Sequence, residues 1–156
     1  MIAAAPTSLP QHKTLVIAEK PSVAADIAKA LGGFTKRGDV HESATMLIAA
    51  AAGHLLEATR PMTWKLADLP LLPERLEMKP APRQAKRLAE LLSLLRRDNV
   101  TDVINACDAG REGELIFWEI MQHAGCKKPA QRLWLQSMTA AAIRRAFKEL
   151  RPAAAM

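Results

Sequence analysis

The chain has 156 residues, 49% of them hydrophobic, and 22 lysines and arginines against 16 acids give it a net charge of +6. That length and apolar content suit one domain with a core of its own and exclude a disordered chain. No apolar run reaches membrane-spanning length, and a basic balance favours anionic partners, nucleic acid first among them.

Residues 1–13, "MIAAAPTSLPQHK", lack a long apolar stretch and read as a loose N-terminal arm. "TLVIAE", Thr14 to Glu19, is a short β-branched run of the kind found in buried strands. Pro21 and Ser22 then open a helix, "SVAADIAKAL", with Ser22 the expected cap and Gly32 and Gly33 the stop. "HESATMLIAAAAGH" suits helix by its alanines and strand by its flanking turn signals; the expectation is a strand ending near Gly53. Leu55 to Pro80 is proline-rich without a clear period, and reads as an irregular surface connection.

"RQAKRLAELLSLLRR" is an amphipathic helix, with Leu88, Leu91, Leu92 and Leu95 at helical spacing and basic residues on its other faces. "VTDVINAC" is a second strand, "EGELIFWEIMQHAG" a helix ending at Gly125, "QRLWLQS" a third strand, and "TAAAIRRAFKEL" a last helix capped by Thr139. "PAAAM" reads as a loose tail. Strands alternating with helices predict an α/β fold, a mainly parallel sheet with helices on both faces.

In such a sheet, sites gather beyond the carboxyl ends of the strands. Two strands here end on acids, Glu19 and Asp108. If those strands are neighbours, the two carboxylates face each other across one crevice, with Glu112 and Glu114 above it in the first turn of the next helix. Clustered carboxylates repel unless a cation lies among them, and oxygen ligands with retained water are what Mg²⁺ prefers. Glutamates in a first helical turn also complement the helix dipole, which accounts for Glu114 alone but not for acids at two strand ends. Lys20 and Arg111 lie beside these acids and are candidates to hold a phosphate, the alternative being simple pairing with them.

Other chemistries find little support. There is no GxGxxG after a strand and no GxxxxGK[ST], which argues against dinucleotide and P-loop enzymes. Cys107 and Cys126 have no metal-ligand spacing and read as reduced thiols of a cytoplasmic protein. The chain contains no tyrosine.

"VIAEKPSVA", "GHLLE", "WKLADLPLLP", "DAGREGELIFW" and "RLWLQSMTAAAIRRAF" together resemble the Toprim (Rossmann-like) domain of type IA DNA topoisomerases, the topoisomerase III branch in particular. The resemblance spans about 14–152, leaving 1–13 as an arm and 153–156 as a tail. It implies Mg²⁺-dependent breakage and rejoining of single-stranded DNA in an intact enzyme. There a tyrosine of a separate domain makes the covalent link to a 5′ phosphate. By the match of motifs, Glu19 takes acid–base and metal roles and Lys20 positions the scissile phosphate. Asp108 and Glu112 hold the metal, Arg111 joins the catalytic group through its hold on the DNA phosphate, and His54 touches DNA. From its position alone, a lone histidine after a glycine reads as structural.

The chain departs from the family pattern in two places. Gly110 stands where the middle acid of DxDxE is usual, which leaves one ligand fewer and weakens the expected metal binding. The stretch "LIAAAAGH" replaces one that often holds Thr-Trp, and the link to "WKLADLP" is short. Without the tyrosine nucleophile, the expectation is a domain of a longer topoisomerase that does not relax DNA alone. The rival expectations are a stand-alone DNA-binding module and a small Mg²⁺-dependent Toprim nuclease.

Overall fold

The computed structural model describes residues 12–59 and 77–153. Within them a seven-stranded sheet forms the backbone of the molecule. Its strands are β1 (Lys13–Ala18), β2 (Thr35–Arg37), β3 (Val40–Glu42), β4 (Met46–Ala50), β7 (Val100–Ala106), β8 (Ala130–Arg132) and β9 (Arg151–Pro152), in the spatial order β2-β3-β4-β1-β7-β8-β9. The four central strands, β4, β1, β7 and β8, are parallel; β3 and β9 run antiparallel to them, and β2 pairs antiparallel with β3 at the edge. A separate antiparallel pair joins β5 (Leu56–Ala58) to β6 (Met78–Pro80).

Helices α1 (Pro21–Leu31), α2 (Ala85–Leu95), α3 (Arg111–His123) and α4 (Ala140–Lys148) cover both faces. The division follows from the two-residue period of β1. Leu15 and Ile17 pack into a core with Leu88, Leu91, Ile116 and Phe117 of α2 and α3. Val16 and Ala18 pack into a second core with Ala24 and Ile27 of α1 and Ile143 of α4. Each of these large apolar side chains stabilises the fold by about 1.5–3 kcal/mol through burial.

The structure departs from the sequence expectations at several elements. Ser22 does not cap α1. Pro21, which lacks an N–H, takes the first helical place, and Lys20 becomes the cap residue with no side-chain hydrogen bond. Thr139 does cap α4, its hydroxyl accepting from the Ala142 N–H at 3.3 Å. "HESATMLIAAAAGH" is not one strand but β3 and β4 around a tight turn at Ser43, whose hydroxyl accepts from the Met46 N–H at 3.0 Å.

The proline-rich connection begins and ends in the β5–β6 pair; its interior, with "WKLADLPLLP", lies outside the described residues. "QRLWLQS" is strand only as far as Arg132. At the other end the first two residues of "PAAAM" are tied in, for Pro152 pairs with Gln131 and Ala153 is buried, while 154–156 lie outside the described residues. Lys13, assigned to the arm on sequence, starts β1.

Candidate functional site

The three central strands end level with one another. Ala18 of β1 stands opposite Ala50 of β4 on one side and Ala106 of β7 on the other. The next residue of each, Glu19, Ala51 and Cys107, therefore opens the carboxyl edge of the sheet. β1 and β7 are direct neighbours, so the acids that follow them meet. Glu19 is buried, and its Oε2 accepts from the backbone N–H of Asp108 at 3.2 Å. Lys20, held at the start of α1, lies over the crevice. Its Nζ is 3.9 Å from Glu19 Oε1 and 3.6 Å from Asp108 Oδ2.

The approach of α3 to this crevice depends on Gly113. A Cβ there would lie 2.1 Å from the Asp108 carbonyl oxygen and 2.8 Å from its nitrogen. Only a residue without a side chain lets the first turn of α3 sit against the Asp108 backbone. Arg111, at the first position of that helix, is exposed. Glu112 does not turn towards Glu19 and Asp108. Its Oε1 lies 3.3 Å from His54 Nε2, while His54 Nδ1 lies 3.8 Å from Glu119 Oε2.

His54 reaches this position on a strained loop. Ala52 has φ 62°, a left-handed conformation that costs a non-glycine residue about 1–3 kcal/mol. The loop is held by Ala52 N–H to Glu19 C=O at 2.8 Å and by the Gln84 amide to Ala52 C=O at 3.3 Å. The strained segment is thus bonded directly to the backbone of the buried glutamate.

A second charged group lies in the interior beside the crevice. Arg132, at the end of β8, is fully buried. Its Nε is 3.2 Å from Glu114 Oε1, an ion pair by distance but without hydrogen-bond alignment. Asn105 of β7 donates to Glu114 Oε2 at 3.2 Å and accepts from the Cys107 N–H at 3.0 Å. Glu114, Asn105 and Arg132 thus tie α3, β7 and β8 together under the loop that carries Asp108. Burial, and then the negative charge of Glu19, push the Cys107 thiol up to about 12, which makes it an inert core group.

Sequence reasoning placed Glu114 over the crevice and missed Gly113, Asn105, Glu119 and Arg132. The "EGE" spacing carried a signal for Gly113 and Glu114. Arg132 offered none, because its role depends on which strand β8 joins.

Glu19 and Asp108 at adjoining strand ends, with exposed Glu112 one turn away, are a hard-oxygen donor set suited to a divalent cation that keeps most of its waters. Their present arrangement is looser than a cage. Among the described residues no three His, Cys, Asp or Glu side chains are gathered closely enough to hold a metal, and the Lys20 ammonium lies between the two acids.

Residues 14–138 match the Toprim domain family. The chain belongs to that family. It is also similar to two proteins named DNA topoisomerase 3. That of Shouchella clausii (strain KSM-K16) is 43% identical over 146 residues, and that of Staphylococcus haemolyticus (strain JCSC1435) is 40% identical over 146 residues. Each match covers 89% of this chain and 20% of the relative, so the chain spans about a fifth of the length of the curated relatives it matches. Among solved structures, full-length topoisomerase I from Thermotoga maritima matches 88% of this chain with a TM-score of 0.59 and 21% identity, covering 21% of that chain. That likeness establishes the shared fold: a Toprim α/β domain with its acids at the carboxyl edge of the parallel strands. No helix of the described residues is long and apolar enough to cross a membrane.

Proposed function

We propose that this Toprim domain handles metal and phosphate in a topoisomerase III-like type IA enzyme, contributing to Mg²⁺-dependent breakage and rejoining of single-stranded DNA. The single observation that carries the proposal is the meeting of Glu19, Lys20 and Asp108 at the ends of two neighbouring parallel strands. It is supported by identities of 40–43% to proteins named DNA topoisomerase 3. The tyrosine nucleophile would come from outside this chain, which contains none. The reading puts the domain in the cytoplasm, in keeping with its two free thiols.

Under this proposal Glu19, Asp108 and, once turned from His54, Glu112 hold the cation. When bound, Mg²⁺ neutralises charge on the scissile phosphate and orients it. Lys20, displaced from between the acids, carries its ammonium to a non-bridging phosphate oxygen as a point charge. The acid–base role falls to Glu19 by the family resemblance; its carboxylate is buried, with Oε2 accepting from the Asp108 N–H. Arg111 and His54 border the crevice from α3 and the strained loop, where a DNA backbone would pass.

A chimera tests the proposal, with residues 14–152 replacing the aligned fifth of the Shouchella clausii relative. It relaxes supercoiled plasmid in Mg²⁺, and Glu19→Gln or Asp108→Asn lowers the rate by about 100-fold or more. A folded chimera without activity, or one indifferent to Asp108→Asn, contradicts it. The chain alone yields no ladder of relaxed topoisomers. The observation favouring a second reading, a DNA-binding module without catalysis, is the Lys20 ammonium between the two acids. That reading gains if the chain binds DNA equally well with and without Mg²⁺. Slow Mg²⁺-dependent nicking by the chain, lost in Asp108→Asn, would instead point to a nuclease.

A further inference from the structure

The chain leaving β8 turns across the carboxyl edge of the sheet and lines two adjoining clefts. The first, about 250 Å³, is bounded by Asp108, Leu135, Gln136, Ser137 and Met138. The second, about 280 Å³, is bounded by Trp134, Gln136, Ser137, Arg145, Glu149 and Arg151. Gln136 and Ser137 line both, so the cleft beside Asp108 adjoins a tract with an indole and two guanidinium groups. The Arg151 guanidinium lies over the Trp134 ring, 5.5 Å from its centroid. Arg145 is 79% exposed and pairs with Glu149 at 3.0 Å. The two guanidinium groups of this cleft face a single carboxylate, that of Glu149.

From this juxtaposition we propose that the Trp134–Arg145–Arg151 cleft is a nucleotide subsite, which stacks one base of a single strand whose neighbouring phosphate lies at the acid site. The subsite rests on the DNA role proposed above. An indole face binds any base without reading its identity, and a guanidinium beside it supplies a phosphate or cation–π contact. The cleft is smaller than the roughly 300–1,000 Å³ of drug-sized ligand sites, which suits a single base. The base takes the place over the indole where Arg151 now lies. Arg151, on its flexible stem, moves to the adjacent phosphate. Arg145 exchanges an exposed pair worth little for a bidentate phosphate contact. Gln136 and Ser137 line the path of the backbone between the two clefts.

The test measures binding of fluorescein-labelled dT12 and of an abasic strand of equal charge by anisotropy, for the parent and four variants. Trp134→Leu weakens dT12 binding by about tenfold and leaves abasic binding unchanged, while Trp134→Phe keeps most of the affinity. Arg145→Ala and Arg151→Ala weaken both strands and lower the salt slope by about one. Equal loss on both strands in Trp134→Leu overturns the stacking, as does dT12 binding indifferent to Trp134. In that last case binding by the parent leaves the DNA role standing. A parent chain that does not bind dT12 overturns both. Equal affinity for a charge-matched polyglutamate overturns the subsite in favour of an acidic protein segment.

Discussion

Glu112 and Glu114 are two residues apart on one helix and have opposite surroundings. Glu112 is exposed, shares a histidine with Glu119, and can change partners without disturbing the core. Glu114 is turned into the protein against a fully buried arginine and a buried asparagine. The same contrast separates the whole crevice from its support. Above, the exposed carboxylate of Asp108 and the exposed Lys20 lie at ion-pair distances too long to fix them. Below, Arg132, Glu114 and Asn105 fix the backbone that carries them. Mobile charges at the surface suit a site that must exchange a lysine for a cation or a phosphate. Desolvated charges beneath keep its frame in place.

The largest expected effect comes from breaking the buried pair. Arg132→Met leaves Glu114 charged and without its cation, and should lower unfolding stability by about 3–5 kcal/mol in urea melts, with Glu114→Leu comparable. The double variant should recover most of the loss, because two apolar groups of similar volume avoid desolvating any charge. A double variant no better than the singles would show that the ion pair is not what holds α3 to β8.

Gly113→Ala should come next, at about 2–3 kcal/mol. The new methyl meets backbone atoms of Asp108 and not a flexible side chain, so the helix must move. Its heteronuclear NMR spectrum should show shifts concentrated at Asp108 and Glu19. Shifts spread evenly over α3 would contradict the close approach.

The smallest effect is expected for the exposed acids. Asp108→Asn and Glu112→Gln should each change stability by less than about 0.5 kcal/mol, as exposed pairs contribute little. A loss of several kcal/mol in either would erase the distinction between the two layers.

The short β-branched run "TLVIA" and the long run "VTDVINAC" made the central strands legible, and acids at their ends located the crevice. The β2–β3 hairpin also left a signal, Gly38-Asp39 joining two short segments through a two-residue turn with Gly38 at φ 60°. It was missed because neither segment is apolar enough to read as a strand. The extent of β8 was hidden for another reason. "QRLWLQS" looks uniformly strand-like, but the ladder with β7 spans only Ala130–Arg132, Leu133 adds one N–H to the Asn105 C=O at 2.9 Å, and the remainder turns along the clefts. The buried polar network was not legible, since it joins residues on three elements whose order in the sheet is a tertiary fact.

Gly110 offers the most direct test of the site. It has extended backbone, φ −122° and ψ 173°, and an added Cβ would meet nothing within 4 Å. An aspartate therefore fits there without strain and adds a third carboxylate close to Asp108, while Gly110→Ser supplies a helix cap without a charge. Mg²⁺ should be titrated calorimetrically into the parent, Gly110→Asp, Gly110→Ser and Gly110→Asp with Asp108→Asn. Weak binding in the parent, tightened about tenfold by the aspartate, unchanged by the serine and lost with Asp108→Asn, is the predicted result. Tight binding in the parent, or binding by Gly110→Asp that survives Asp108→Asn, would contradict the assignment of this crevice as the metal and phosphate site.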